Sequence, residues 1–479
     1  MNEPLGGPFT NLTLTRLGGN RWSAYNWLNN ASNAGNDWHY QNDNYLGGGS
    51  APGGAMIPGI ENARQNHAGI ILTVPMIGRL SADKNADGDP RTTPDYLQKR
   101  FRPEQPAKNS PFNLSPDPNS SVVYEDEFIN WVKFHYPYGQ TDPQTPIWFM
   151  LDNEPDLWAG THAEVHPNKT TYAELIAKTI AYATAIKRVE PNAVIFGPAN
   201  YGWNGFVTLQ NAPDAAGRDF QTVYLQAMAA AEKQSGHRLL DVLDIHWYPS
   251  ERIGKIRITS PDTTPDLDEA RIQSPRSLWD PTYTESSWIT RNLNAPIRLI
   301  PRLQEKIARN YPGTKLSISE YQYGGYDSIS GALAQADALG TFGRQGLFAA
   351  NQWPPGIPQP YTTAAFAMFR NFDAHRATFG NISIRADSEN PSAASIYASL
   401  DSANPRIMIL VAINKTLKPL SATAILTHAA PFTRMEIFQL TSADPHPHFV
   451  IEEKIPDPQN LRLSLPGRSV STFRLSVGQ

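Results

Sequence analysis

Seven short apolar runs recur through the first three quarters of the chain, separated by longer stretches in which apolar residues return at helical spacing. No feature constrains the fold more. Unbroken apolar runs of strand length suit parallel strands buried on both faces. Parallel neighbours in turn need a crossover of a dozen or more residues, usually a helix. The runs are LTLTRLGG (12–19), GIILTVPM (69–76), IWFMLDN (147–153), AVIFGPAN (193–200), LLDVLDIHW (239–247), TKLSISE (314–320) and GLFAANQW (346–353). Between them, TYAELIAKTIAYATAIKRV (171–189) is the clearest helix; EDEFINWVKFHY (125–136), FQTVYLQAMAAAEKQ (220–234) and ISGALAQADALGTFGRQ (329–345) are others. The alternation predicts an α/β fold, a (β/α)8 TIM-like barrel. Segments 36–66, 79–123 and 249–293, rich in Gly, Pro, Asn and Asp, read as its extended loops. A closed barrel needs eight strands and seven runs are found. Either a strand lies in a stretch read as loop, or the first barrel strand is missing ahead of Leu12.

The texture changes after about Ile382. RIMILVAIN (406–414), SATAILTHA (421–429), RMEIFQLT (434–441), FVIEEKI (449–455), LRLSLP (461–466) and VSTFRLSVG (470–478) are strand-like runs with turn residues and no helical pattern between them. The expected organisation is a catalytic barrel over 1–382 and a β-sandwich over 383–479. Composition excludes several partners and chemistries. With 41 basic residues against 45 acidic and no basic stripe, nucleic acid is not expected. The absence of cysteine excludes disulfides and thiol chemistry. No run approaches the roughly 18 apolar residues of a membrane span, and MNEPLGGPFTN does not read as a signal peptide.

Chemistry concentrates where the apolar runs stop. IWFMLDNEPDLW closes on Asn153-Glu154-Pro155, and LSISE, three runs later, closes on Glu320. Any single strand-end acid is most simply a chain leaving the core for water. Two at equivalent heights across a barrel mouth can instead cleave a glycosidic bond, one protonating the leaving oxygen while the other attacks the anomeric carbon, provided the carboxyls stand about 5–5.5 Å apart. DIHWYP (244–249) closes the run between them, with His246 and Tyr248 on one strand face, placed to orient Glu320 and help keep it ionised. Trp353 closes the last run, as a sugar platform or as barrel core. At the first, Arg16 can point toward a carboxylate, while Gly18 and Gly19 match no phosphate loop. Asn20, Trp22, Trp27 and Asn153 complete the candidate substrate-binding set, with competition from plain loop-core packing for the indoles. DKNADGD offers Asp83, Asn85, Asp87 and Asp89 as alternating oxygen ligands for calcium. The bidentate glutamate that ends an EF-hand loop is missing, and a solvated turn is the competing reading.

These residues also resemble glycoside hydrolase family 44, in RLGGNRWSAYNWLNNASNAGNDW (16–38), LDNEPDLWAGTHAEVHP (151–167), GPANYGW (197–203), LLDVLDIHWYP (239–249), SPRSLWDPTYTESSW (274–288) and TKLSISEYQYGG (314–325). The resemblance implies a (β/α)8 barrel beside a β-sandwich and endo-β-1,4-glucanase activity with retention of configuration. It places the acid/base on Glu154 and the nucleophile on Glu320. It further implies a β-glucan partner, a secreted or periplasmic location, and usually a bound calcium whose ligands it does not place; the chain is expected to be a monomer that needs no cofactor for its chemistry. Relatives open with a strand of the form IYGVN and a helix ahead of the RxGGN motif, which this sequence does not show. Other functions compatible with the residues are an endo-xylanase or mannanase of the same clan, since only the loops choose the sugar, and a non-catalytic carbohydrate-binding protein.

Overall fold

The computed structural model describes residues 11–354, 357–427 and 430–478. Each of the seven apolar runs forms a strand: β1 (Leu14–Leu17), β2 (Gly69–Val74), β3 (Ile147–Leu151), β4 (Ile195–Tyr201), β5 (Val242–Trp247), β6 (Lys315–Tyr321) and β7 (Ala349–Gln352). They pair in chain order, all parallel, in one curved sheet. A helix follows every strand: α1 (Ile57–Gln65), α2 (Glu125–His135), α3 (Tyr172–Val189), α4 (Phe220–Ser235), α5 (Leu299–Asn310), α6 (Ile329–Arg344) and α7 (Pro360–Arg370). The expected helices are present, and others, among them α1, α5, α7 and the helix Pro265–Gln273, lie where none was expected. α1 closes a segment read as loop.

Among the described residues the barrel remains an arc of seven strands. None of the three long loops hides an eighth parallel strand. They hold instead small excursions: Arg79–Ser81 with Phe101–Gln105 and Val123–Tyr124, and a hairpin of Arg252–Ile253 with Ile256–Arg257. β1 and β7 face each other across a seam without pairing. A cavity of about 670 Å³ lies there, lined by Leu12, Leu14, Trp148, Phe348 and Phe369 among others.

Eight antiparallel strands follow: β8 (Ile382–Ile384), β9 (Ala394–Asp401), β10 (Asn404–Asn414), β11 (Leu420–Ile425), β12 (Arg434–Thr441), β13 (Asp444–Lys454), β14 (Asn460–Leu465) and β15 (Ser469–Ser476). One sheet runs β8-β9-β10-β15-β12-β13 and a second pairs β11 with β14. Residues 428 and 429 of the run expected at 421–429 lie outside the described residues. Period-two alternation turns Leu461, Leu463 and Leu465 onto Leu410, Met435 and Phe473 of the larger sheet, the packing of a sandwich. The opposite face of the large sheet buries Val411, Phe438 and Val470 against Leu333 of α6 and Met368 of α7. At this junction Lys415 and Asp337 form an ion pair at 2.8 Å, each side chain 1% exposed. The Tyr397 hydroxyl also donates to Asp337, at 2.6 Å. No helix among the described residues is long and apolar enough to cross a membrane.

Candidate active site

The carboxyl ends of the strands converge on an open cleft of about 1010 Å³. At the end of β3 the backbone turns sharply, with Asp152 at φ +63° and Glu154 at φ +46°. Non-glycine residues adopt this left-handed region at a cost, and such strain concentrates at functional sites. Asp152 is anchored below by the Met76 and Asn153 amides and the Trp158 indole, and the Glu154 amide donates to Ala199 O of β4. The turn therefore presents Glu154 at the barrel mouth. Across from it, register shifts in the β4–β5 and β5–β6 pairings bring His246 level with Glu320, a use of bulges to re-aim side chains.

The two glutamates meet around His246. Its Nδ1 lies 2.7 Å from Glu154 Oε1 and 3.3 Å from Glu320 Oε2. One ligand atom from each of the three residues lies within 4.8 Å of the others, a potential chelating group. Arg16, fully buried on β1, donates from Nη1 to Glu320 Oε1 at 2.6 Å and from Nη2 to Asn153 Oδ1 at 2.7 Å. Asn153 also accepts from the Gly19 amide at 3.2 Å, which fixes the arginine between two anchored groups. Tyr248 donates to Glu320 Oε2 at 2.7 Å. The glycine pair leaves room for this: a Cβ on Gly18 would lie 2.2 Å from the Arg16 guanidinium carbon, and one on Gly19 3.1 Å from the Trp353 indole.

Electrostatics drive the two acids apart. Burial, then the charge of Glu320, raises Glu154 well above the ordinary carboxylate range. Burial also acts upward on Glu320. The His246 ring, Arg16 and the hydrogen bonds from Arg16 and Tyr248 outweigh it and bring Glu320 below that range. Burial lowers His246 itself, so near neutrality Arg16 is the cation that holds Glu320 ionised. A carboxylic acid and a carboxylate side by side can protonate one atom and attack another.

Of the residues expected to bind substrate, Arg16, Asn20, Trp22, Asn153, Tyr248 and Trp353 line the cleft. His246 sits beneath it, wholly buried between the glutamates. Trp27 is a correction: only 1% exposed, it packs on Phe128 and Trp131 of α2 and belongs to the core. The Asp83–Asp89 loop is a second. Arg100 already supplies positive charge to Asp83 and Asp87, each at 2.7 Å, and Arg91 to Asp89 at 2.6 Å. Those guanidinium groups occupy the carboxylates that a calcium ion would use, so in this structure the loop is closed by arginine ion pairs. Cleft residues that sequence reasoning missed include Asp37, Tyr201, Arg257 and Gln322; Tyr201 and Gln322 stand at or just past the ends of β4 and β6, a position that could have flagged them.

A parallel α/β barrel whose strand ends hold two glutamates on either side of one histidine, one raised and one lowered from the ordinary carboxylate range, has the architecture of a barrel glycosidase. The particular family follows from comparison. The profile of glycoside hydrolase family 44 matches residues 31–251. Endoglucanase A of Paenibacillus lautus is 41% identical over 460 residues, and the beta-mannanase/endoglucanase A of Caldicellulosiruptor saccharolyticus is 38% identical over 461. The alignments take in 92% and 90% of this chain but only 65% and 34% of those longer proteins. A Paenibacillus polymyxa family 44 xyloglucanase, solved with xyloglucan, superposes with a TM-score of 0.94 at 33% identity, covering 100% of this chain and 96% of that one. The family 44 endoglucanase of Clostridium thermocellum gives 0.93 at 34%, covering 99% and 95%. The chain belongs to glycoside hydrolase family 44.

Proposed function

We propose that the chain is a retaining endo-β-1,4-glucanase that hydrolyses internal bonds of cellulose-like or xyloglucan-like polysaccharides by double displacement. The observation that carries this reading is the approach of the Glu154 and Glu320 carboxyl oxygens to within 4.8 Å. A water cannot be seated between them as inversion requires, for which the carboxyls stand about 6.5–9.5 Å apart, whereas direct attack by one carboxylate needs about 5–5.5 Å. Glu320, ionised beside Arg16, attacks the anomeric carbon. Glu154, holding its proton because it is buried beside that charge, delivers it to the leaving oxygen, then takes a proton from the water that releases the glycosyl-enzyme. Tyr248 and Arg16 hold one oxygen each of the nucleophile. His246 holds Oε1 of the acid, which leaves Oε2 to the cleft. The open cleft, with Trp38 58% exposed on its wall, suits the middle of a polymer. A polymeric substrate also favours a secreted or periplasmic protein, and we read it as a monomer.

Azide rescue tests the roles. Glu154→Ala with azide is expected to yield a β-glycosyl azide, because azide attacks the intermediate without a general base. Glu320→Ala with azide is expected to yield the α-azide. The opposite products would reverse the assignment, and full activity in either variant would end it. Rates on cellulose, xyloglucan, xylan and mannan then decide the preferred glycan.

A further inference from the structure

Past the turn that presents Glu154, the helical turn Trp158–Thr161 ends on His162. The His162 and Glu164 side chains are both 0% exposed and face each other, Nδ1 to Oε1, at 2.9 Å. The opposite ring nitrogen, Nε2, lies 2.8 Å from the main-chain oxygen of Asn20. Asn20 stands just past β1, and its side chain donates to Asp37 at 3.0 Å. Asn20, Asp37 and Trp38 line one wall of the cleft. The back of that wall is fitted to the ring: a Cβ on Gly35 would come within 2.3 Å of Thr161 O and 3.1 Å of His162 Cε1. The Tyr40 hydroxyl adds a bond to Gly160 O at 3.1 Å. On the other side, the Trp158 indole holds Asp152 of the catalytic turn. His162 therefore stands between the wall that meets substrate and the turn that carries the acid.

A carbonyl only accepts, so Nε2 must carry a hydrogen. A second hydrogen must lie between Nδ1 and Glu164, because a bare ring nitrogen and a carboxylate repel each other. Making both contacts at once therefore needs the dyad to hold one proton more than a neutral imidazole beside a carboxylate. Burial pulls His162 down, but the charge and hydrogen bond of Glu164, the Asn20 carbonyl and Asp152 outweigh it and leave the ring above its ordinary value. Arg91, paired with Asp89, adds its charge on the Glu164 side, while His166 is turned to Glu174. We propose that His162 is a positioning residue for glycan binding: held on Glu164, it pins the Asn20–Trp38 wall of the cleft to the turn that carries Glu154. The inference rests on the glucanase reading above. Loss of the extra proton forces a choice on the ring. It keeps Glu164 through Nδ1–H and frees Asn20, or it keeps Asn20 and turns a lone pair toward the carboxylate. Either way the wall is released, and affinity falls as pH rises through the raised value.

The test measures binding of a cello-oligosaccharide to Glu320→Ala, which cannot turn it over, from about pH 6 to about pH 9. Adding Glu164→Gln keeps both contacts with a neutral ring, since the amide donates to Nδ1 while Nε2–H still donates to Asn20. Any effect of Glu154 titration is common to the two proteins, so the difference between their curves reports the dyad. They are expected to bind alike at the acid end. At the alkaline end Glu320→Ala should bind about tenfold or more the weaker, the worth of a charge-assisted hydrogen bond. His162→Phe in the same background is expected to bind weakly at every pH, with melting temperatures reporting its fold. With Glu320 intact, His162→Phe should raise KM and leave the pH limbs of kcat in place. Coincident curves, or weaker binding by Glu164→Gln throughout, overturn the proposal, and so does a folded His162→Phe protein that binds like its parent. A native chain that cleaves no β-1,4-glucan, with a Glu320→Ala variant that binds none, would sink the glucanase reading itself, a result distinct from those.

Discussion

Replacing Arg16 by Met tests the electrostatic account of the site most directly. The guanidinium is wholly buried, 2.6 Å from Glu320, and its second hydrogen bond to Asn153 ties the end of β1 to the end of β3. An opposite charge at about 4 Å is worth about 4 kcal/mol where the effective dielectric constant is about 20. Water entering behind the shorter side chain returns part of that. If Glu320 is the nucleophile proposed above, a net loss of about 3 kcal/mol at its carboxylate would move the acid limb of the kcat/KM profile upward by about two pH units. The same loss carried into the transition state lowers kcat/KM at the optimum by more than about a hundredfold. Arg16→Lys, which keeps a charge without the planar fork, should restore most of the limb's position and less of the rate. The assay is initial rate against pH on an aryl cello-oligosaccharide, with unfolding followed in parallel, since breaking a buried pair costs about 3–5 kcal/mol of stability. A folded Arg16→Met protein whose acid limb stays in place would refute the reasoning, whatever its rate.

Stability should fall as pH rises from about 5 to 8. Burial raises Glu104, Asp156 and Glu251 to about 7, against ordinary values of 4.5, 3.8 and 4.5. Between those limits the folded chain holds protons that the unfolded chain has released, so deprotonation favours unfolding. Glu320 works in the opposite sense but completes its change below the window. His246, lowered by burial, also works in the opposite sense and offsets part of the fall up to about pH 7. Calorimetric melts across the range check this, and a melting temperature that is flat or climbs counts against it. Gly19→Ala should cost about 1–3 kcal/mol, because φ is +97° and the new methyl meets Trp353. A raised KM should accompany that loss in denaturant melts, and an unchanged melt and KM would show that the indole yields freely.

Unbroken apolar runs marked the barrel strands, and the pairing of two such runs that each end in an acid, rather than either acid alone, pointed to Glu154 and Glu320. What the sequence did not show has physical causes. α1, α5 and α7 carry Pro58, Pro301 and Pro360 in their first turns. Proline breaks a helix interior, but in the first turn the missing N–H had no helical partner to lose. Trp27 and Trp22 are five residues apart in one loop, and nothing local distinguishes an indole facing sugar from one facing Phe128. In the Asp83–Asp89 loop the cation is Arg100, which lies outside the motif and comes back through the fold. Tyr201 ends β4, whereas Arg257 comes from the hairpin after β5, so their side of the cleft has no linear signature.

The junction between barrel and sandwich bears on how such a chain could be recombined. In sequence the texture changes near residue 382, which invites a cut there. The packing is continuous across that point: α6 and α7 share one core with β10, β12 and β15. Gly340 of α6 is flush against the Tyr397 ring, where a Cβ would come within 2.2 Å. A chimera joined at 382 would strip Asp337 of both Lys415 and Tyr397 and strand an unpaired charge inside the protein. A chimera joined ahead of Ile329 carries the helices with the sheets that cover them. The border that keeps Asp337 with its partners therefore places the two roofing helices with the sandwich, while it parts Gln335 from Tyr321, Ser330 from Arg271 and β7 from β6, so the two units share structure rather than meet at a clean joint.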